Sequence, residues 1–376
     1  MKLAFCLFKF FPFGGLQRDF LRILQECQRR RHEIHVYVLE WEGEKPDNLD
    51  LHIIPTRAMS NTGRCEAFVN AVRSLLAEGK YDAVVGFNKM PGLDVYYAAD
   101  PCFVARAVRL KSPLYRLSHR YKHFSSYEQA VFSADSATTI LLLSENEKTF
   151  FKQHYGTQEE RFHLLPPTLD EGRVGLDSAA EIRVRLRTGL GVQKDENLLL
   201  MVGSGFKTKG LDRAIYALAK LPEAIRQNTY LFVVGQDRSA RFARLAKNCG
   251  VAKRVVFLGG RSDVSELLLA GDLLLHPAYS ENTGTVLLEA IVVGLPVLAT
   301  DVCGYAPHIE KSGAGQLVRS PFRQEDLNRR LKEMLTSAER RIWSENGISY
   351  GQNPFLYCMP EKATDIIEET VLRKTS

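Results

Sequence analysis

Short runs of β-branched and aromatic residues alternate with longer helical patterns along nearly the whole chain. That is the mark of parallel sheets covered on both faces by helices. In the first half the pattern predicts strands at 3–8, 34–39, 51–54, 83–87, 96–99 and 139–143, with helices near 16–30, 64–77 and 145–155. The alternation stops at Pro166-Pro167, where paired prolines cannot extend a helix and favour an extended connector, and then restarts. Strands follow at 198–202, 231–234, 255–258, 273–275 and 296–299, with helices near 211–221, 240–249, 264–270 and 284–293. The reading is two Rossmann-like α/β domains, 1–166 and 167–350. A terminal segment, 351–376, carries an amphipathic helix expected to cross back to the first domain. Two such sheets facing each other would leave a central cleft, since open α/β sheets bind ligands beyond the carboxyl ends of their strands.

The chain of 376 residues is 45% apolar and 25% charged, enough to bury real cores, which excludes a disordered polyelectrolyte. Its net charge of +6 is too small for a dedicated nucleic-acid binder unless the excess is concentrated. Seven cysteines without a Cys-x-x-Cys pair point to a reducing, cytosolic compartment rather than a disulfide framework. Lys9 interrupts the first apolar run, so the start is expected to be a buried strand and not a signal peptide. No apolar stretch reaches the ~18–20 residues needed to span a bilayer, so a membrane role would be peripheral.

Three loops after strands carry the chemistry. The first is Phe11-Pro12-Phe13-Gly14-Gly15-Leu16-Gln17-Arg18, where Gly14 and Gly15 let backbone approach a ligand at a helix start. The alternative is a plain strand-to-helix turn. The second, Gly203-Ser204-Gly205-Phe206-Lys207-Thr208-Lys209-Gly210, matches neither a Walker loop nor a dinucleotide fingerprint, but delivers Lys207 and Lys209 beside a helix N-terminus, as a diphosphate requires. Both lysines could instead be solvated. The third runs from His276 to Ala290. The amides of Gly284, Thr285 and Val286 would face an anion, Glu281 could accept bonds from sugar hydroxyls, and Glu289 could hold a vicinal diol. Carboxylates on both sides of an anion site suit a ligand that is polyol, phosphate, polyol. The bland alternative is two acids attracted to a helix start.

These residues carry a resemblance. Glu281-x7-Glu289 and the two glycine loops resemble the retaining nucleotide-sugar glycosyltransferases of the GT-B type. Phe8–Asp19, 86–95 and 303–306 look like the bacterial lipopolysaccharide core glucosyltransferases in particular. The resemblance implies transfer of glucose from UDP-glucose to a heptose of the inner core, at the cytosolic face of the inner membrane. It implies that Glu281 binds the sugar, Glu289 the ribose, Lys209 the diphosphate and Gly15 the close backbone approach, with Asp100 near the acceptor as base or as orienting group. Lys207 stands in for an arginine common in that family. Asn282 and Thr283 add hydrogen-bonding capacity beside the sugar pocket, so a UDP-N-acetylhexosamine donor is the alternative. With no Asp-x-Asp motif, no metal or other cofactor is expected. Lys207, Lys209 and helix amides would stabilise the departing UDP. Non-catalytic alternatives are a nucleotide-sugar-binding module and a membrane-surface adaptor; a two-domain phosphorylase is the competing enzyme.

Between Phe103 and Tyr127 there is no acidic residue, yet Arg106, Arg109, Lys111, Arg116, Arg120 and Lys122 occur there. These six charges equal the net excess of the chain. Interleaved aromatics make the segment read as a basic amphipathic helix for an anionic membrane surface, with an acidic protein such as acyl carrier protein as the other partner. His119 and His123 have i, i+4 spacing but no third metal ligand in sequence, and His32 and His35 read as ordinary residues at a strand start.

Overall fold

The computed structural model describes residues 1–12, 14–46, 49–169 and 178–375; Phe13 of the first glycine loop lies outside them, as does the side chain of Arg109. The chain divides into two compact units, Met1–Thr168 with Cys358–Ser376, and Leu169–Tyr357.

Unit 1 contains β1 (Lys2–Phe10), α1 (Gly15–Arg29), β2 (Glu33–Trp41), β3 (Asp50–Ile53), α2 (Asn61–Gly79), β4 (Ala83–Gly86), β5 (Val95–Ala98), α3 (Phe103–Leu110), α4 (His119–Phe132), β6 (Thr139–Leu142), α5 (Glu145–Tyr155) and β7 (Phe162–Leu164). Its strands form one parallel sheet in the order β3-β2-β1-β4-β5-β6-β7. β1 is central, and Leu3 to Leu7 are buried on both faces, which explains its unbroken apolar run.

Unit 2 contains α6 (Ala179–Gly189), β8 (Asn197–Val202), α7 (Leu211–Ala219), α8 (Glu223–Arg226), β9 (Thr229–Val234), α9 (Ala240–Asn248), β10 (Val255–Gly259), α10 (Val264–Ala270), β11 (Leu273–His276), α11 (Thr285–Val292), β12 (Val297–Thr300), α12 (Ala306–Ser312), β13 (Gly315–Val318), α13 (Gln324–Thr336) and α14 (Arg340–Tyr350). Its parallel sheet runs β10-β9-β8-β11-β12-β13. β7 and β13 add one strand to each half beyond the sequence expectation. Three- and four-residue edge strands, one opening on a glycine, carry too little periodicity to be seen.

The division between units falls at Thr168/Leu169, and Gly351–Tyr357 stays with unit 2, where the Leu169 amide donates to the Leu356 carbonyl at 3.1 Å. The last helix, α15 (Met359–Thr375), belongs to unit 1. Met359, Ala363, Ile367 and Val371 recur every four residues and are buried in the core beside β1 and α1. Arg30, which caps the C-terminus of α1, ties down the polar edge of α15 by donating to Asp365 at 2.8 Å and Glu368 at 2.9 Å.

The basic segment is not one helix. Ser112-Pro113 ends α3, a short 3-10 turn spans Pro113–Leu117, and Ser118 caps α4 by accepting from the Tyr121 amide at 3.2 Å. Glu128, fully buried on α4, accepts from the amides of Phe103 (2.7 Å) and Val104 (3.0 Å) at the start of α3, from the Tyr155 hydroxyl (2.7 Å), and from the Lys89 ammonium (2.5 Å). Burial alone would raise its carboxyl, but Lys89 and these donors hold it below the usual range. One carboxylate therefore joins α4 to the start of α3, to the end of α5 and to the loop after β4. Glu128→Ala is expected to cost ~3–5 kcal/mol in urea unfolding, because Lys89 is left buried and unpaired. A loss under ~1 kcal/mol would show the network to be dispensable.

Candidate donor site

The site is built in unit 2 from the loops that follow β8 and β11. After β8, Phe206 is buried in the core and its amide donates to Asp237 at 2.8 Å, which anchors the glycine-rich loop at its middle. Gly210 has φ +79°, and a Cβ there would lie 2.0 Å from the Pro277 carbonyl oxygen. Only glycine lets the start of α7 press this closely on the loop after β11. The Tyr279 amide donates to the Thr208 carbonyl at 2.8 Å, and Arg213 of α7 donates to the carbonyls of Pro277 (3.1 Å) and Ala278 (2.9 Å). Its guanidinium also packs 3.6 Å from the Tyr279 and Phe322 ring centres. The two loops are thus joined backbone to backbone.

That seam brings the Lys209 ammonium against the Glu281 carboxylate in an ion pair whose side chains are 20% and 13% exposed. Burial pushes the Lys209 ammonium below its ordinary range. Beneath the pair, His276 is fully buried at the end of β11, with Nε2 3.4 Å from Glu281 Oε2. Burial and then the charge of Lys209 push its imidazole down to about 3, so the ring is neutral and Nε2 is the donor to the carboxylate.

Glu281 is fixed from its other side as well. It forms a parallel bridge with Cys303, its carbonyl accepts from Gly304 at 3.3 Å, and that of Thr283 accepts from Tyr305 at 2.8 Å. Gly284, at φ +83°, turns the chain into α11, where an added Cβ would crowd Glu281 Cγ at 3.2 Å. The amides of Gly284, Thr285 and Val286 have no preceding helical carbonyl to serve them, which leaves partial positive charge at this end of α11. Asn282 lies between Glu281 and Thr283 on the same turn, and Glu289 is buried within α11. Gly203 turns out of β8 at φ +129° with the Lys209 side chain 3.4 Å from where its Cβ would be. The arrangement can present one buried ammonium and helix amides to phosphate, and carboxylates to hydroxyls.

Lys207 is placed differently. It is half exposed, donates to Asp212 at 2.6 Å, and lies over the Tyr279 ring at 4.4 Å. The second cation of the sequence reading is already occupied by an acid on α7.

In unit 1, Gly14 caps α1 and Gly15 opens it with space around its Cα, at a helix start that carries no acidic residue. Asp100 is exposed just after β5. Sequence reasoning passed over Asp19, which accepts from the Tyr97 hydroxyl at 2.8 Å and pairs with Arg22 at 3.5 Å; burial pushes its carboxyl up. It also passed over His276, although a histidine ending an otherwise apolar strand was visible. His119 and His123 both face Glu66, at 3.9 and 2.9 Å.

His276 has a measurable signature. It is neutral when folded but protonates below its ordinary value of 6.5 once unfolded, so the unfolded chain binds the extra proton. Its contribution to stability is complete above pH 6.5 and is lost as pH falls toward about 3. His276→Asn should flatten the stability profile across that window by up to ~1.4 kcal/mol per pH unit, as read by denaturant unfolding. An unchanged slope would show that the ring takes up its proton equally in the folded and unfolded chain.

Comparisons with known proteins agree in direction. Residues 183–350 match the family of glycosyl transferases group 1, and residues 13–173 match glycosyltransferase family 4. The chain is 48% identical over 368 residues to lipopolysaccharide glucosyltransferase WaaG of Escherichia coli (strain K12), covering 98% of each. It superposes on a crystal structure of WaaG, a glycosyltransferase involved in lipopolysaccharide biosynthesis, with a TM-score of 0.89 over 97% of this chain and 99% of that one. Anabaena HepE in complex with UDP and glucose shares the fold at a TM-score of 0.72 and 20% identity, covering 99% and 100%.

Proposed function

Because this chain belongs to the group 1 glycosyl transferases and has the two-sheet GT-B architecture, we propose that it moves a hexose, glucose in the leading reading, from a UDP-sugar to a heptose of the lipopolysaccharide inner core. The observation that carries the donor half is the Lys209–Glu281 pair under the N-terminus of α11. An incoming diphosphate offers Lys209 a new anion, which releases Glu281 to accept from sugar hydroxyls while His276 holds its other face. Glu289 on α11 takes the ribose diol. No metal is called for in this reading, since Lys209 and the helix amides meet the charge that develops on UDP.

The reaction breaks the bond from the anomeric carbon to the β-phosphate oxygen and forms one to the acceptor hydroxyl oxygen on the same face. Attack on the face that UDP leaves retains the configuration, and the departing phosphate takes the hydroxyl proton; Asp100 orients the acceptor. Asn282 and Thr283 are the side chains placed to distinguish glucose from an N-acetylhexosamine. With truncated core acceptor and a panel of UDP-sugars, UDP-glucose should give the highest kcat/KM and an α-linked product. An α-linked product is the retained one. A preference for UDP-N-acetylgalactosamine would replace the donor assignment, and an inverted product would reject the mechanism.

The acceptor is carried on a lipid, and the basic segment supplies a surface for it. Arg106, Lys111, Arg116, Arg120 and Lys122 are exposed there, as are Leu114 and Leu117 at 74% and 71%. The aromatics are not the exposed apolar groups, since Phe103 packs on Tyr121 and Phe124 with centroids 5.8 and 5.6 Å apart. Two leucines on a cationic turn fit an anionic leaflet at the cytosolic face, where each Lys or Arg is worth ~1 kcal/mol. No described helix is long and apolar enough to cross a membrane. Changing Leu114 and Leu117 together to Asp should abolish co-sedimentation with anionic vesicles while leaving turnover on soluble acceptor intact. Unchanged sedimentation of the variant would take the leucines out of the membrane contact, and failure of the parent chain to sediment would shift the assignment to an acidic protein partner.

A further inference from the structure

β3 is a four-residue edge strand that pairs only with β2, in the register His35↔Asp50, Leu51↔Val36 and Tyr37↔His52. Partners in a parallel pair share a face, and residues two apart along a strand share it too. Register alone therefore sets Glu33, His35, Asp50 and His52 on one side of the sheet. Their side chains meet there: His35 Nδ1 is 2.6 Å from Asp50 Oδ2, and His52 Nε2 is 3.2 Å from Asp50 Oδ1. One donor atom from each of His35, Asp50 and His52 lies within 4.8 Å of the others.

Three details point to a ligand and not to a plain hydrogen-bonded cluster. His52 Nε2 is buried and, despite its 3.2 Å approach to Asp50, makes no hydrogen bond in that geometry. The other nitrogen of His35, Nε2, is 2.8 Å from Glu33, the carboxylate–imidazole contact that fixes the tautomer of metal-bound histidines. The His35 and His52 rings are held nearly parallel, 12° apart with centroids at 5.8 Å, and His52 also stacks on Tyr37 at 4.8 Å, so neither ring is free to turn away. Among the described ion pairs of the cluster, the carboxylates Glu33 and Asp50 meet one ammonium, that of Lys2, which lies 3.4 Å from Glu33.

We propose that His35, Asp50 and His52 bind a zinc-class divalent metal ion, with Glu33 behind His35 and water completing the coordination. Two imidazoles and one carboxylate are borderline ligands suited to zinc and poorly suited to magnesium or calcium. Bonds of about 2.1 Å place adjacent donors about 3.4 Å apart, against 2.6 and 3.2 Å for the two histidine–Asp50 separations and at most 4.8 Å across the set, so side-chain shifts within the cluster would complete the site. The ion would clip the edge strand to β2 and is separate from the donor loops, which lie in the other unit.

The test is calorimetric titration of the full chain, kept reduced, with Zn2+ and separately with Mg2+. One Zn2+ per chain with a micromolar or tighter Kd, and a rise of a few degrees in Tm at saturation, is expected; Mg2+ should give neither. His52→Ala and His35→Ala should each weaken binding at least 100-fold, and Glu33→Gln about 10-fold. Circular dichroism of each variant guards against loss of folding, and Glu33→Gln leaves all three ligands in place. No Zn2+ binding to the parent chain overturns the proposal. So does binding that persists unchanged in the histidine variants, which would place the ion on cysteines, or Mg2+ binding as tightly as Zn2+.

Discussion

Everything proposed for the donor loops depends on keeping a lysine and a glutamate together while both are largely out of water. A pair of this kind gains little by itself, because desolvation offsets most of the Coulomb attraction, whereas either charge alone would be expensive. The surroundings meet that constraint in detail. Gly210 gives up a side chain so that α7 can touch the Pro277 carbonyl, Arg213 holds the same loop from the helix side, and neutral His276 donates to Glu281 from below. A ligand that brings its own negative charge to Lys209 finds an ammonium already desolvated and the positive end of a helix dipole on the same loop as Glu281. The ground-state pair thus serves as a preorganised exchange partner for phosphate.

Unit 1 uses the same device for a different end. Glu128 is as buried as any residue in the chain, and its partners are Lys89 and the first amides of α3. The consequence is a cationic hairpin whose inner surface is rigid and polar-locked while its outer turn shows Leu114 and Leu117. A basic segment without such an anchor would repel itself and fray. Anchored, it can hold its charges toward a surface.

Much of this was legible in the residues. Alternation located the sheets because parallel strands buried on both faces read as solid apolar runs, and β1, β8 and β11 are of that kind. Glu281, Lys209 and the amides before α11 were legible because strand-loop-helix junctions are where such sheets bind ligands. What escaped was set by side-chain contacts that no periodic pattern encodes. That Lys207 is tied to Asp212, that Asp19 meets Tyr97 across 78 positions, and that His35 faces Asp50 and His52 all depend on packing or strand register. A periodic pattern predicts an element but not its neighbour. The single basic helix over 103–127 was misread for a local reason, since cationic periodicity outweighed the Ser112-Pro113 break.

Two distinct roles are proposed here, Lys209 for the diphosphate and Glu281 for the sugar. Equilibrium binding of UDP and of UDP-glucose to the parent chain, Lys209→Ala and Glu281→Gln separates the two roles. Lys209→Ala should weaken both ligands by a similar factor, on the order of 100-fold. Glu281→Gln should leave UDP near its parent affinity and erase the added affinity of UDP-glucose over UDP. Equal losses for both ligands in Glu281→Gln would contradict the account, because Glu281 would then be only the partner that keeps Lys209 in place.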